Sequence, residues 1–102
     1  MRILPVSKKP ETIIEDDYMQ WVRHTDGIVA LKLILFSQMG WPDRTIFTNG
    51  HTFFIEFKTL TGRLSPQQKH WRTILERLGF TYYVCISSDE AIRKTRGEMD
   101  TS

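Results

Sequence analysis

The sequence predicts an α/β fold with elements in the order α-β-β-β-α-β-α, and three observations predict it. Asn49-Gly50 stands between two apolar runs, the strongest short-range signal for a two-stranded hairpin. Ser65-Pro66 opens a segment with Trp71, Ile74, Leu75 and Leu78 at helical spacing, closed by Gly79. Strand-forming runs at residues 28–36 and 80–86 flank these units, so strands and helices alternate along the chain.

Each element has a local reason. Pro10 suits a first helical position, and residues 11–24 bring Ile14, Tyr18, Trp21 and Val22 to one face before Asp26-Gly27 stops the helix. Residues 28–36, IVALKLILF, are β-branched and aliphatic, which predicts a buried strand. Gln38, Met39 and Gly40 lead through a loop to Pro42, and residues 44–48 and 51–59 form the hairpin arms. Thr61-Gly62-Arg63 turns into the helix at 66–78, and residues 80–86, FTYYVCI, give a fourth strand. Ser87-Ser88-Asp89 then caps a short helix to about residue 96. Residues 1–9 and 97–102 read as loose ends of one domain spanning 1–102.

Composition narrows the function classes. At 102 residues a second core is not expected. The longest apolar stretch, at 28–36 and interrupted by Lys32, is too short to span a bilayer, and no apolar leader follows Met1-Arg2. A single cysteine, Cys85, excludes an internal disulfide and a cysteine-based zinc cluster, and suits the cytoplasm. His24, His51 and His70 have no zinc-like spacing. A net charge of +2 barely favours nucleic acid, but Lys58, Arg63, Lys69, His70, Arg72 and Arg77 fall in one central segment.

The hairpin raises a chemical question. A two-residue loop pairs Thr48 with His51, and the same register carries back to Asp43 opposite Glu56. Directly opposed side chains share a face, with Cβ atoms roughly 4.5–5.5 Å apart. Two carboxylates at that range repel by about 3 kcal/mol at an effective dielectric of 20. A divalent cation between them reverses the sign. Alternation adds Lys58 to the same face, while Phe53, Ile55 and Phe57 take the other. Two acids and an amine on one patch suit phosphodiester cleavage: the acids bind Mg²⁺, and the lysine positions water or stabilises the transition state. A three-residue loop would shift this register and leave a surface Glu56–Lys58 pair beside a turn aspartate.

The helices carry further polar residues on apolar stripes. Glu11 lies inside the arc of Ile14, Tyr18, Trp21 and Val22, and Glu15 lies at its edge. A first-turn carboxylate also favours the helix dipole, so position alone leaves both roles open. Gln67 and Gln68 fall on the apolar side of the second helix, where an amide needs a partner: a phosphate, a water on the ion, or nearby backbone. Lys32 faces either the acids or solvent at a sheet edge, and one of Tyr82 and Tyr83 belongs to the core.

Together GWPDR (40–44), FIEFK (54–58) and GRLSPQQKHW (62–71), after a helix opening E-x-x-I, resemble the VRR-NUC nucleases. These are the virus-type replication-repair branch of the PD-(D/E)XK superfamily, and the likeness covers roughly residues 11–93. The resemblance implies a restriction-endonuclease-like core with a mixed four-stranded sheet flanked by helices. It implies Asp43, Glu56, Lys58 and Gln68 as catalytic residues, with a helix-one acid that E-x-x-I fits best to Glu11 and that Glu15 can also supply. Asp43, Glu56 and the Phe57 backbone carbonyl would hold Mg²⁺ or Mn²⁺, and Arg44, Arg63 and Lys69 would meet the phosphate backbone. Trp41 departs from the small aliphatic residue more common in the family, and either stacks on a base or packs on the loop.

Stand-alone chains of this size resemble phage products similar to Holliday-junction resolvases. The implied activity is therefore metal-dependent, structure-selective cleavage of branched DNA by a homodimer, in a host cytoplasm if the chain is phage-encoded. Two alternatives are a non-cleaving nucleic-acid-binding module and a nuclease subunit active only with a replication or repair partner.

Overall fold

A computed structural model describes residues 9–101, in the order α1 (Pro10–Arg23), β1 (Ile28–Leu31), β2 (Arg44–Thr48), β3 (His51–Phe57), α2 (Pro66–Arg77), β4 (Thr81–Cys85) and α3 (Ser88–Asp100). The hairpin turn sets the frame. Asn49 and Gly50 have φ of 51° and 77°, the paired positive angles of a two-residue type I′ turn. Thr48 therefore pairs with His51, and the register runs back to Arg44 opposite Ile55. β1 adds antiparallel to β2, and β4 adds parallel to β3 through the α2 crossover, giving a mixed sheet in the order β1-β2-β3-β4.

Alternation along β3 divides the molecule into layers. Phe53, Ile55 and Phe57 face α1 and α3 in a core with Tyr18, Met19, Val22, Ile46 and Cys85. A hydrogen bond of 2.9 Å between the Tyr18 and Thr95 hydroxyls ties α1 to α3 inside it. Phe54 turns the other way, towards Leu75 of α2 and Tyr82 of β4, with Trp41 and Val84 packed alongside. The α2 start is fixed by a capping box: Ser65 Oγ accepts from the Gln68 amide at 3.1 Å, and Gln68 Oε1 accepts from the Ser65 amide at 2.8 Å. Among the described residues no helix is long and apolar enough to cross a membrane.

Two expectations need correction. The buried strand expected over 28–36 is a four-residue edge strand, with Val29 and Leu31 exposed on one face and Ile28 and Ala30 against the core. Continuing its register would set Pro42 opposite Ile34, and proline has no N–H to extend the ladder. The ladder already stops at Leu31 opposite Thr45, the run beyond it leaves the sheet, and Phe36 is 93 % exposed. At the other end, α3 continues past the expected stop near residue 96 to Asp100. The hairpin tip holds that last turn: Asn49 Nδ2 donates to the Met99 and Thr101 carbonyls, and Glu98 accepts from Tyr83 Oη at 2.6 Å. The loose arm expected at 1–9 lies, apart from Lys9, outside the described residues.

Candidate active site

The site gathers where β2 begins and β3 ends. Asp43 lies one residue before β2, immediately after the buried Pro42, and its backbone amide donates to Glu56 Oε1 at 3.1 Å. In return, the Phe57 amide donates to Asp43 Oδ2 at 2.9 Å. Each carboxylate is thus braced by the other's strand, and the two share one face as the hairpin register requires. Glu56 is only 2 % exposed.

Burial and mutual charge dominate the electrostatics. Burial first, then the negative charge of Asp43, push Glu56 up to about 8, against the pull of Lys58. Burial likewise raises Asp43, with Glu15 adding to the effect and the Phe57 amide opposing it. The two acids act on each other unequally: the charge of Asp43 makes Glu56 harder to ionise, whereas the side-chain hydrogen bond with Glu56 favours the ionised Asp43. Lys58 Nζ stands 3.6 Å from Glu56 Oε2, and Gln68 Nε2 donates to the same oxygen at 2.8 Å. Gln68 therefore uses its oxygen to cap α2 and its nitrogen to hold Glu56. The side chain of Gln67 is exposed, and helical periodicity could not separate the two.

A second cluster forms beside these residues. Glu15, 6 % exposed, accepts from Arg44 Nε at 2.6 Å and from Lys32 Nζ at 3.2 Å to both of its oxygens. Glu15 thus joins the site from α1, whereas Glu11 lies about a turn away, half-buried and outside these bonds. Lys32 pairs with Glu15 while staying half-exposed. Arg44, expected against a phosphate, is turned inward onto Glu15 and the Ala30 carbonyl. Trp41 packs rather than projects: its indole N–H donates to Thr45 Oγ1 at 3.0 Å, and its ring meets Phe54 and Trp71 edge-on. Arg63 and Lys69 are both exposed on the α2 side.

Gly40 explains how the aspartate loop reaches this position. Its φ is +90°, and a Cβ there would sit 2.5 Å from the Gln67 backbone carbon. Only glycine lets the loop lie flat against the α2 start, where the Trp71 indole donates to the Met39 carbonyl at 3.0 Å.

The sequence left open which of Tyr82 and Tyr83 joins the core; it is Tyr82 that is buried, and its place beside the acids was not foreseen. Its hydroxyl is buried and has no hydrogen-bond partner among the described residues, and burial, followed by the charges of Glu56 and Asp43, raises its pKa. Tyr82 pairs with Phe54 two positions before the Glu56–Val84 pair, on the same face. That neighbour relation depends on the β3–β4 register, for which no local signal exists in the sequence.

The donor set suits a hard dication. Among the described residues no three His, Cys, Asp or Glu side chains form a metal-ligating group. Two carboxylates are nevertheless what Mg²⁺ commonly takes from a protein, with water and substrate phosphate completing its shell. The destabilised charges of Asp43 and Glu56 favour such an ion.

No curated protein matches the chain. The model of the VRR-NUC domain matches residues 14–89, a span that includes Glu15, Asp43, Glu56, Lys58 and Gln68 but not Glu11. With well over half of its length matched, the chain belongs to the VRR-NUC domain family and carries a nuclease domain.

Proposed function

We propose that this protein is a divalent-cation-dependent endonuclease that hydrolyses phosphodiester bonds in DNA, with branched DNA as its substrate and two copies as its working form. The observation that carries this reading is the Asp43–Glu56 pair: a buried and a half-buried carboxylate, braced side by side, with an amine and an amide on the same Glu56 oxygen.

In this reading Asp43 and Glu56, with the Phe57 carbonyl, would hold Mg²⁺ or Mn²⁺. Bound there, such an ion would supply positive charge that polarises the phosphoryl group and makes water a better nucleophile. Lys58 orients the attacking water and stabilises negative charge on the phosphoryl oxygens as phosphorus gains its new bond. The P–O bond to the departing sugar oxygen breaks, and that oxygen takes a proton. Gln68 fixes the rotamer of Glu56 and keeps one of its oxygens directed. Glu15 contributes by holding Arg44 inward and Lys32 at the rim, which limits the net negative charge facing a phosphate.

One site per chain cuts one strand, so paired cuts across a junction call for two copies. The unpaired β1 edge, with exposed Val29 and Leu31 followed by Ile34 and Phe36, offers apolar surface to a second copy. The test is cleavage of four-way junctions, flaps, splayed arms and linear DNA by one preparation, with Mg²⁺, Mn²⁺ or EDTA, beside Glu56→Ala. Junction cutting that needs the cation and vanishes in the variant is expected. Cutting in EDTA, or an unimpaired variant, contradicts the proposal.

A further inference from the structure

A basic groove of about 540 Å³ opens between α2 and β4; the family resemblance sets its Arg63 and Lys69 singly against a phosphate backbone, and the groove joins them to Arg72, which has no role in the site above. Arg63, Lys69 and Arg72 contribute its cations, Thr73 a hydroxyl and Val84 an apolar wall, with no acidic residue in the lining. Its place in the sheet gives it meaning. Val84 is the register partner of Glu56 across the parallel β3–β4 pair, so the groove wall stands one strand, roughly 4.8 Å, from the buried acid. Lys69 follows Gln68, which holds that same acid.

The three cations are not consumed elsewhere. Among the described residues neither Arg63 nor Lys69 has a carboxylate within ion-pair range. Arg72 is pre-set: its guanidinium lies 5.5 Å from the centroid of the buried Tyr82 ring, and its Nε is 3.3 Å from Glu76 Oε1. A ring on one side and a carboxylate on another hold the planar group while leaving donors for a ligand. Fixed arginine forks match phosphate oxygens, and flexible lysines add point charge.

We infer that this groove binds the phosphodiester backbone of the cleaved strand, on the β4 side of the scissile bond, with Arg72 as its fixed phosphate contact and Arg63 and Lys69 beside it. The inference rests on the nuclease reading for the identity of its ligand. It adds a second grip on the strand, which sets the direction in which the backbone crosses the carboxylates.

The test is equilibrium binding in EDTA, read by fluorescence anisotropy with a labelled single strand and its duplex, between about 50 and 200 mM salt. Arg72→Gln should lower the slope of log K against log salt by about 0.7 on the single strand and about 0.9 on the duplex, and weaken binding roughly five- to tenfold near 0.1 M. Lys69→Gln, on the helix surface, should do the same and covers the case in which Arg72→Gln does not fold. Arg77→Gln, an exposed arginine of the same helix outside the groove, should keep the parental slope. A parental slope in both groove variants, an equal loss in Arg77→Gln, or no salt-dependent binding by the parent protein overturns the inference. Cleavage with Mg²⁺ on the same samples separates the two claims. Binding as described without cleavage refutes the nuclease reading and leaves the groove; cleavage with unchanged slopes refutes the groove alone.

Discussion

At the tip of the β2–β3 hairpin, Glu98 accepts from the Tyr83 hydroxyl at 2.6 Å and pairs with His51 Nε2 at 3.0 Å. At the base of the same hairpin, Glu56 faces another acid across the strand pair and is pushed up to about 8 by burial and by that neighbour. Both are glutamates enclosed by their surroundings. One is given a hydroxyl donor and a potential cation, and ties α3 to the sheet. The other is given a competitor for ionisation. A small fold gains stability from the first arrangement and loses it from the second, so the second is where function is to be sought.

Substitution at each end should separate these roles most sharply. Glu56→Gln should lower cleavage by about two to three orders of magnitude. At pH 8 without cation it should also raise unfolding stability by about 1–2 kcal/mol, or several degrees in thermal midpoint, because a buried carboxylate beside another acid is removed. Loss of activity together with loss of stability would make Glu56 a structural residue. Gly40→Ala should cost about 2–4 kcal/mol by denaturant unfolding, since its Cβ would meet the Gln67 backbone at 2.5 Å in a positive-φ position. A neutral result would mean that the aspartate loop does not depend on this close approach.

The pH dependence follows from the direction of the Glu56 shift. Between its ordinary value of 4.5 and about 8, the folded protein keeps a proton that the unfolded chain has released. Stability of the cation-free protein should therefore fall, by on the order of a few kcal/mol, as pH rises through that window. Saturating Mg²⁺ should flatten the fall. Stability rising over the same range would contradict the shared burial of the two acids. The smallest effect is expected at the tip, where Glu98→Gln should cost about 1 kcal/mol and leave the cleavage rate unchanged.

How much of this was legible depends on the range of the interactions. The Asn49-Gly50 turn is a local signal, and from it the Asp43–Glu56 face follows by counting, with no knowledge of the rest of the fold. The Ser65 cap and Pro66 likewise announce α2 from adjacent residues. The length of β1 was not legible, because its apolar run continues past Leu31, where pairing with β2 stops. That Glu15 rather than Glu11 meets two cations depends on where Lys32, just past β1, and Arg44, at the start of β2, arrive. The extent of α3 depends on Asn49 and Tyr83, distant in sequence, reaching its last turn. In the same way the groove beside Arg72 exists only once β4 lies against β3.

The central claim is that Asp43 and Glu56 together form one cation site. Isothermal titration of Mn²⁺ into the protein at pH 7, repeated in two buffers of different ionisation heat, measures both the stoichiometry and the protons displaced. The account predicts one ion per chain with release of up to about one proton, and loss of both signals in Asp43→Asn and in Glu56→Gln. Binding without proton release, or binding that survives either substitution, would contradict it.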